Sequence, residues 1–200
     1  SNRGTGLNSN YNSLQVNLTK RFAAGLAIAG AYTYGKVLDT GFAQSNAFNT
    51  SNNYGPADWD RKHILAVSHL WQLPFGSGST YFSDGWVARV LGSWQLNGIL
   101  RWATGTPYSV NVDSLACNCP GISSIRAIGP DGSALNGRAD FNPSAFSSPA
   151  VGSFGPVGRN VFRGADFFTY DASLFRSFQF RENYTFELRA EAYNVTNNTN

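Results

Sequence analysis

The chain has 200 residues, a net charge of +3 and only 14% charged residues, so its polarity rests on uncharged side chains and 21 glycines. Aromatic residues at 14% exclude intrinsic disorder. No apolar run approaches the length of a spanning helix, and no Lys/Arg block points to nucleic acid.

The dominant pattern is alternation with a period of two, the mark of a strand with two unlike faces. Near 11–21, Leu14, Val16 and Leu18 share one face and Ser13, Gln15, Asn17 and Thr19 the other. Near 25–37, Leu26, Ile28, Tyr32 and Tyr34 oppose Ala27, Ala29, Ala31, Thr33 and Gly35. Near 61–73, Leu65, Val67, Trp71 and Leu73 oppose Ala66, Ser68 and Gln72, with His69 falling on the apolar side. Near 92–104, Trp94, Leu96, Leu100 and Trp102 oppose Gln95, Asn97 and Arg101. Near 165–180, Phe168, Tyr170, Ala172, Leu174 and Phe178 oppose Thr169, Asp171, Ser173 and Ser177. Near 184–196, Phe186, Leu188, Ala190 and Ala192 alternate with Glu187, Arg189 and Glu191.

Strands that cross a bilayer on a tilt of about 45° need about 9–11 residues, and these fit that length. Strands of soluble domains average about 5–6 residues. The connections alternate too. Short links fall around Phe22–Gly25 and at Arg181-Glu182-Asn183, and long polar loops cover 38–60 and 105–164. The third link runs through Pro74-Phe75-Gly76-Ser77-Gly78 to about Leu91. Short turns at one end and long loops at the other is the pattern of an outer-membrane barrel. The fold expected is all-β: an antiparallel, up-and-down transmembrane β-barrel, of which these six strands are a fragment. The smallest such barrels have about eight strands. The chain holds no methionine, which also reads as an internal piece or a trimmed product.

The faces follow from cost. An Arg or Lys in the bilayer mid-plane of a barrel costs about 2–4 kcal/mol. The row with Asn97, Arg101, Asp171, Glu187, Arg189 and Glu191 is therefore expected inside, and the apolar row against lipid. Glu187, Arg189 and Glu191 read as a self-compensating charge ladder on the interior wall. Tyr32, Tyr34, Trp71, Trp94, Trp102 and Tyr170 suit the membrane–water interfaces.

Enzymatic chemistry finds little support. Ser68 and His69 are adjacent on a strand and face opposite ways. Cys117 and Cys119 lack the further ligands of a zinc site; they read as loop residues, with a strained disulfide as the alternative. Asp58 and Asp60 flank Trp59 and read as turn-forming, loop-packing residues, with calcium the weaker alternative. Gly76-Ser77-Gly78 reads as a turn with no helix behind it. No catalytic residue, metal or cofactor is expected.

Several strings occur in order along the chain. Tyr54-Gly55-Pro56-Ala57-Asp58-Trp59-Asp60-Arg61-Lys62-His63 leads into a strand ending Leu73-Pro74-Phe75-Gly76. Gly92-Ser93-Trp94-Gln95-Leu96-Asn97-Gly98-Ile99 is followed by Gly105-Thr106-Pro107-Tyr108. Later come Phe154-Gly155-Pro156-Val157-Gly158-Arg159-Asn160, Tyr170-Asp171-Ala172-Ser173-Leu174-Phe175-Arg176 and Leu188-Arg189-Ala190-Glu191-Ala192-Tyr193-Asn194-Val195-Thr196-Asn197. Together they resemble the C-terminal barrel region of Oar-like TonB-dependent outer-membrane receptors, over nearly the whole of residues 1–200. The resemblance implies a 22-stranded barrel in a Gram-negative outer membrane. It also implies a plug domain and a TonB complex as partners, both outside this segment, and an unidentified transported ligand. Ligand contact is expected at Trp59, Phe48, Tyr54 and Arg126 in the long loops, and at Asn97, Arg101 and Asp171 on the inner wall. A passive porin-like or structural barrel and a soluble all-β binding or adhesion domain are the alternatives.

Overall fold

The computed structural model describes residues 8–41, 53–76, 81, 84–112, 125–126, 143–153, 155–180 and 184–199. Phe48, Cys117, Cys119 and the turn at 181–183 lie outside the described residues.

Strict alternation yields long strands. β1 (Ser9–Ala23), β2 (Leu26–Asp39), β4 (His63–Gln72), β5 (Trp94–Ala103), β10 (Phe167–Phe180) and β11 (Tyr184–Ala192) neighbour one another in that order. The two-residue strand β3 (Gly55–Pro56) adds to β2 through Leu38↔Pro56 and Asp39↔Gly55. β10 and β11 run antiparallel with an unbroken register from Ala172↔Ala192 to Phe180↔Tyr184. The sheet is a section of barrel wall, with β1 and β11 as its end strands.

Strand lengths are set by turn chemistry at one end. Ala24 and Gly25 have φ of 52° and 76°. Positive φ at both central residues gives a two-residue hairpin the twist its strands need. The Gln72 amide donates to Gly25 O at 2.7 Å, and the Leu73 amide donates to Trp94 O at 2.9 Å. The third connection therefore begins and ends beside the first turn. It contains a helix, α1 (Gly85–Leu91). This corrects the expectation that no helix follows Gly76-Ser77-Gly78. The segment is too short to announce itself by periodicity, and its helical state is fixed by packing rather than propensity.

The chain divides into two compact units, Ser1–Leu14 with Tyr34–His63 and Ala103–Phe167, and Gln15–Thr33 with Ile64–Trp102 and Phe168–Asn200. Both long connections belong to the first unit, and the hairpin at 24–25 and α1 to the second. In the first unit the long connections form small sheets of their own. β6 (Pro107–Tyr108) pairs with β9 (Phe162–Arg163), and β7 (Asn111–Val112) with β8 (Ile125–Arg126). A 3-10 turn covers Pro143–Ala145. The core of this unit is Phe162, fully buried, with Tyr108 stacked on it at 5.7 Å and Phe146 edge-on at 5.5 Å. Ala57 and Val157 are buried beside the polar groups described below.

In the second unit the apolar row is open on the end strands, where both faces are exposed, and half-buried at Leu65, Val67 and His69 of β4. Val16, Leu18, Tyr184, Phe186 and Leu188 are all at least 47% exposed. Phe178 and Phe186 pair across β10 and β11 with ring centroids 6.1 Å apart. His69 belongs to this row, as the alternation of β4 requires. Its Nε2 lies 2.9 Å from Tyr170 Oη. The two side chains meet over Gly98 of the intervening β5, where a Cβ would collide with His69 Nε2 and lie 2.7 Å from Tyr170 Oη.

Candidate functional site

In the second unit the polar row gathers around a concavity of about 580 Å3. The period of two carries Thr19 and Arg21 of β1, Ser68 of β4, Asn97 of β5, and Asp171 and Ser173 of β10 to it. Register adds Glu191, opposite Ser173. Tyr193, just past β11, completes this side.

The polar groups are held in place. Gln95 Nε2 donates to Asn97 Oδ1 at 2.7 Å. The Asn194 amide donates to Asp171 Oδ1 at 2.8 Å, and the Val195 amide donates to Tyr170 O at 2.8 Å. Those two bonds tie the segment after β11 back to β10. Glu191 accepts from Tyr193 Oη at 2.9 Å and pairs with Arg189 Nε at 2.8 Å. The hydrogen bond to Glu191, and then its negative charge, raise the Tyr193 phenol above its usual pKa. Amide, hydroxyl, carboxylate and guanidinium groups thus stand among the apolar side chains of Ala27, Ala29, Leu70 and Ile99, an arrangement that can hydrogen-bond a ligand while covering its apolar parts.

The first unit holds a partly buried ionic plate. Arg159, 5% exposed, donates through one guanidinium nitrogen to Asp39 O at 3.0 Å and to the Asp39 carboxylate, and through the other to Asp58 Oδ1 at 3.0 Å. Asn160 Nδ2 donates to Pro56 O at 2.8 Å and to Asp58 Oδ1 at 2.6 Å. The Asn160 amide donates to Ser109 Oγ at 2.9 Å. Asp60 Oδ1 accepts the Val37 amide at 2.7 Å, and Asp60 Oδ2 pairs with Arg163. Arg163 also donates to Gly105 O at 3.1 Å. Three separated stretches of chain, around 37–60, 104–109 and 159–166, are fastened together. Asp60 is buried with both carboxylate oxygens bonded, to the Val37 amide and to Arg163, whereas Asp58 is largely exposed and its Oδ1 accepts from Arg159 and Asn160. Among the described residues no cluster of His, Cys, Asp or Glu is arranged to hold a metal.

Of the residues singled out from sequence, Asn97, Asp171 and Glu191 come together at the concavity. Arg101 lies further along the polar row of β5 and is exposed. Glu187 and Arg189 continue the row on β11, opposite Ser177 and Phe175. Trp59 and Tyr54 are exposed in the first unit, and Arg126 stands in β8 opposite Asn111. By sequence alone, Tyr193 counts in the polar row, and Arg159, Asn160 and Arg163 fall only within a broad loop expected to contact ligand, without their fastening role. The only signal for Arg159 and Asn160 was their place in the Gly158-Arg159-Asn160 string.

A family model described as an outer membrane beta barrel domain matches residues 1–200. The chain belongs to this outer-membrane β-barrel domain family. The protein is located in the cell outer membrane and associates with its lipid. No curated relative and no solved structure matches the chain. Barrels of this family are generally non-enzymatic. The open apolar row, carrying Leu18, Phe186 and Leu188, is the surface suited to lipid contact. No helix among the described residues is long and apolar enough to cross a membrane, and in a barrel the strands do so.

Proposed function

We propose that this barrel domain is part of the wall of a TonB-dependent outer-membrane transporter for a ligand too large or too scarce for free diffusion. The concavity at Asn97, Asp171, Ser173 and Glu191 is then lumenal wall, and Glu187, Arg189 and Glu191 form its charge ladder. β1 and β11 pair with further strands of the complete barrel, since unpaired backbone in lipid is very costly. The long connections face outward, where Trp59, Tyr54, Phe48 and Arg126 meet the ligand, while Arg101 and Asp171 guide it inside.

The observation that carries this reading is the ionic plate of Arg159, Asn160 and Arg163. A passive pore needs loops only as a cover. Here the long connections are fastened by charge-assisted bonds centred on the buried Arg159 and Asp60, which hold exposed residues such as Trp59 in place, as ligand capture requires. The ordered strings shared with Oar-like receptors support the same class. The chain is not an enzyme on this reading, because its polar row presents binding groups only.

The test uses the full-length protein purified from outer membranes. The periplasmic domain of TonB should bind it, and planar bilayers containing it should show no steady open conductance. Absence of TonB binding together with a steady ohmic conductance would replace this reading with a passive porin.

A further inference from the structure

α1 buries Ala88 and exposes Trp86 and Val90, which lie one helical turn apart on the same side. The helix rests against the apolar row of the sheet. Trp94 Nε1 donates to Val90 O at 3.1 Å, and the Arg176 guanidinium donates to the same carbonyl. Trp94 and Arg176 both stand on that row, Trp94 with Leu96 on β5 and Arg176 opposite Leu188 on β10.

Arg176 is the exception in its row. The sequence pattern breaks at Phe175-Arg176, yet the register through Phe175↔Arg189 and Arg176↔Leu188 continues without a bulge. An arginine therefore sits among lipid-suited side chains, only 9% exposed. Its guanidinium lies 4.3 Å from the Phe178 ring centroid and 5.9 Å from that of Trp94. The long stem is covered and the charged end meets a helix C-terminus, the arrangement favoured at a membrane boundary.

The chain invests in this contact. Gly92 closes α1 by donating its amide to Ala88 O at 2.9 Å. A Cβ on Gly92 would lie 2.8 Å from Gly76 Cα, so the two arms of the connection cross where neither carries a side chain.

We infer that α1 is an interfacial foot: Trp86 and Val90 insert at the headgroup–acyl boundary of the phospholipid leaflet on the short-turn side of the outer membrane. Three observations converge. The last turn of the helix is bonded to Trp94 and Arg176, both of which stand on the apolar row, so the exposed Trp86 and Val90 lie close to it. The Val90 carbonyl, which an aqueous helix end would leave to water, receives two N–H donors, as a site of low polarity demands. Tryptophan has the amphipathic ring that concentrates at such boundaries. The inference rests on the apolar row facing lipid and is independent of whether the barrel is coupled to TonB.

The experiment uses the full-length protein with its native cysteines replaced by serine, reconstituted in phosphatidylethanolamine/phosphatidylglycerol vesicles. A nitroxide at Trp86→Cys should be more accessible to oxygen than to a water-soluble nickel chelate, as should a label at Leu188→Cys. Greater nickel accessibility at position 86, with Leu188 still in lipid, overturns the foot. An aqueous Leu188 as well overturns the face assignment beneath it. Position 86 being aqueous in these vesicles yet shielded in native outer membranes would assign the helix face to a protein partner and overturn the proposal. In parallel, W86F should lose part of the tryptophan emission quenched by brominated phospholipids. An unchanged quenched fraction overturns it equally.

Discussion

Asp60 and Arg163 form an ion pair in which the carboxylate is 1% exposed and the guanidinium side chain 30% exposed. The other oxygen of Asp60 accepts the Val37 amide at 2.7 Å. Removing one member of a buried pair costs about 3–5 kcal/mol. Water reaching Arg163 reduces this, so Asp60→Ala should cost about 1–3 kcal/mol. Urea unfolding of the vesicle-embedded protein measures the loss. Faster protease cleavage within 104–166 should accompany it. An unchanged cleavage rate would mean that the pair does not fasten the loops.

Asn160 has φ of 55° and is 5% exposed. Asparagine tolerates this left-handed backbone, and its side chain donates to Pro56 O and Asp58. Asn160→Ala loses the bonds and strains the backbone, for about 2–3 kcal/mol. Asn160→Gly loses only the bonds and should be the milder change. Thermal unfolding midpoints of the two variants give the order. Alanine milder than glycine would contradict the strain argument.

Gly98 leaves room for the His69–Tyr170 bond of 2.9 Å. An added methyl group drives the two side chains apart. Gly98→Ala should therefore cost about 1–3 kcal/mol, the usual penalty for overpacking. His69→Phe would remove the polar pair, and Gly98→Ala in that background should cost no less, because the steric conflict remains. Urea midpoints of the single and double variants test this.

Arg189 and Glu191 are paired at 2.8 Å but are 56% and 39% exposed. Such pairs contribute about 0–1 kcal/mol. Glu191→Gln should leave stability nearly unchanged, and raised salt should leave the wild type equally stable. A large loss on substitution would mean that the ladder is structural.

The two rows make opposite predictions. Spin labels at Leu96 and Leu188 should report hydrocarbon, and labels at Asn97 and Arg189 should report water. Reversal of the pairs, read from oxygen and nickel accessibility in the reconstituted protein, would invert the sheet and end the barrel-wall interpretation.

The strands were legible in the order of residues alone. Alternation with a period of two forces one row to be apolar, and nothing beyond the order of residues is needed to see it. The sorting of connections was legible as well, because Gly, Pro, Asn and Ser mark turns locally. The concavity at Asn97, Asp171 and Glu191 was half legible. Each residue was assignable to the polar row, but their meeting depends on register, such as Ser173↔Glu191. The ionic plate was not legible. Asp39 and Arg159 are 120 positions apart, and a contact between two charges so distant has no local signal. Nor was Arg176, whose charge breaks the apolar alternation of β10. The folded chain brings the Val90 carbonyl and the Trp94 and Phe178 rings to it, and these partners cover the charge on a row otherwise suited to lipid.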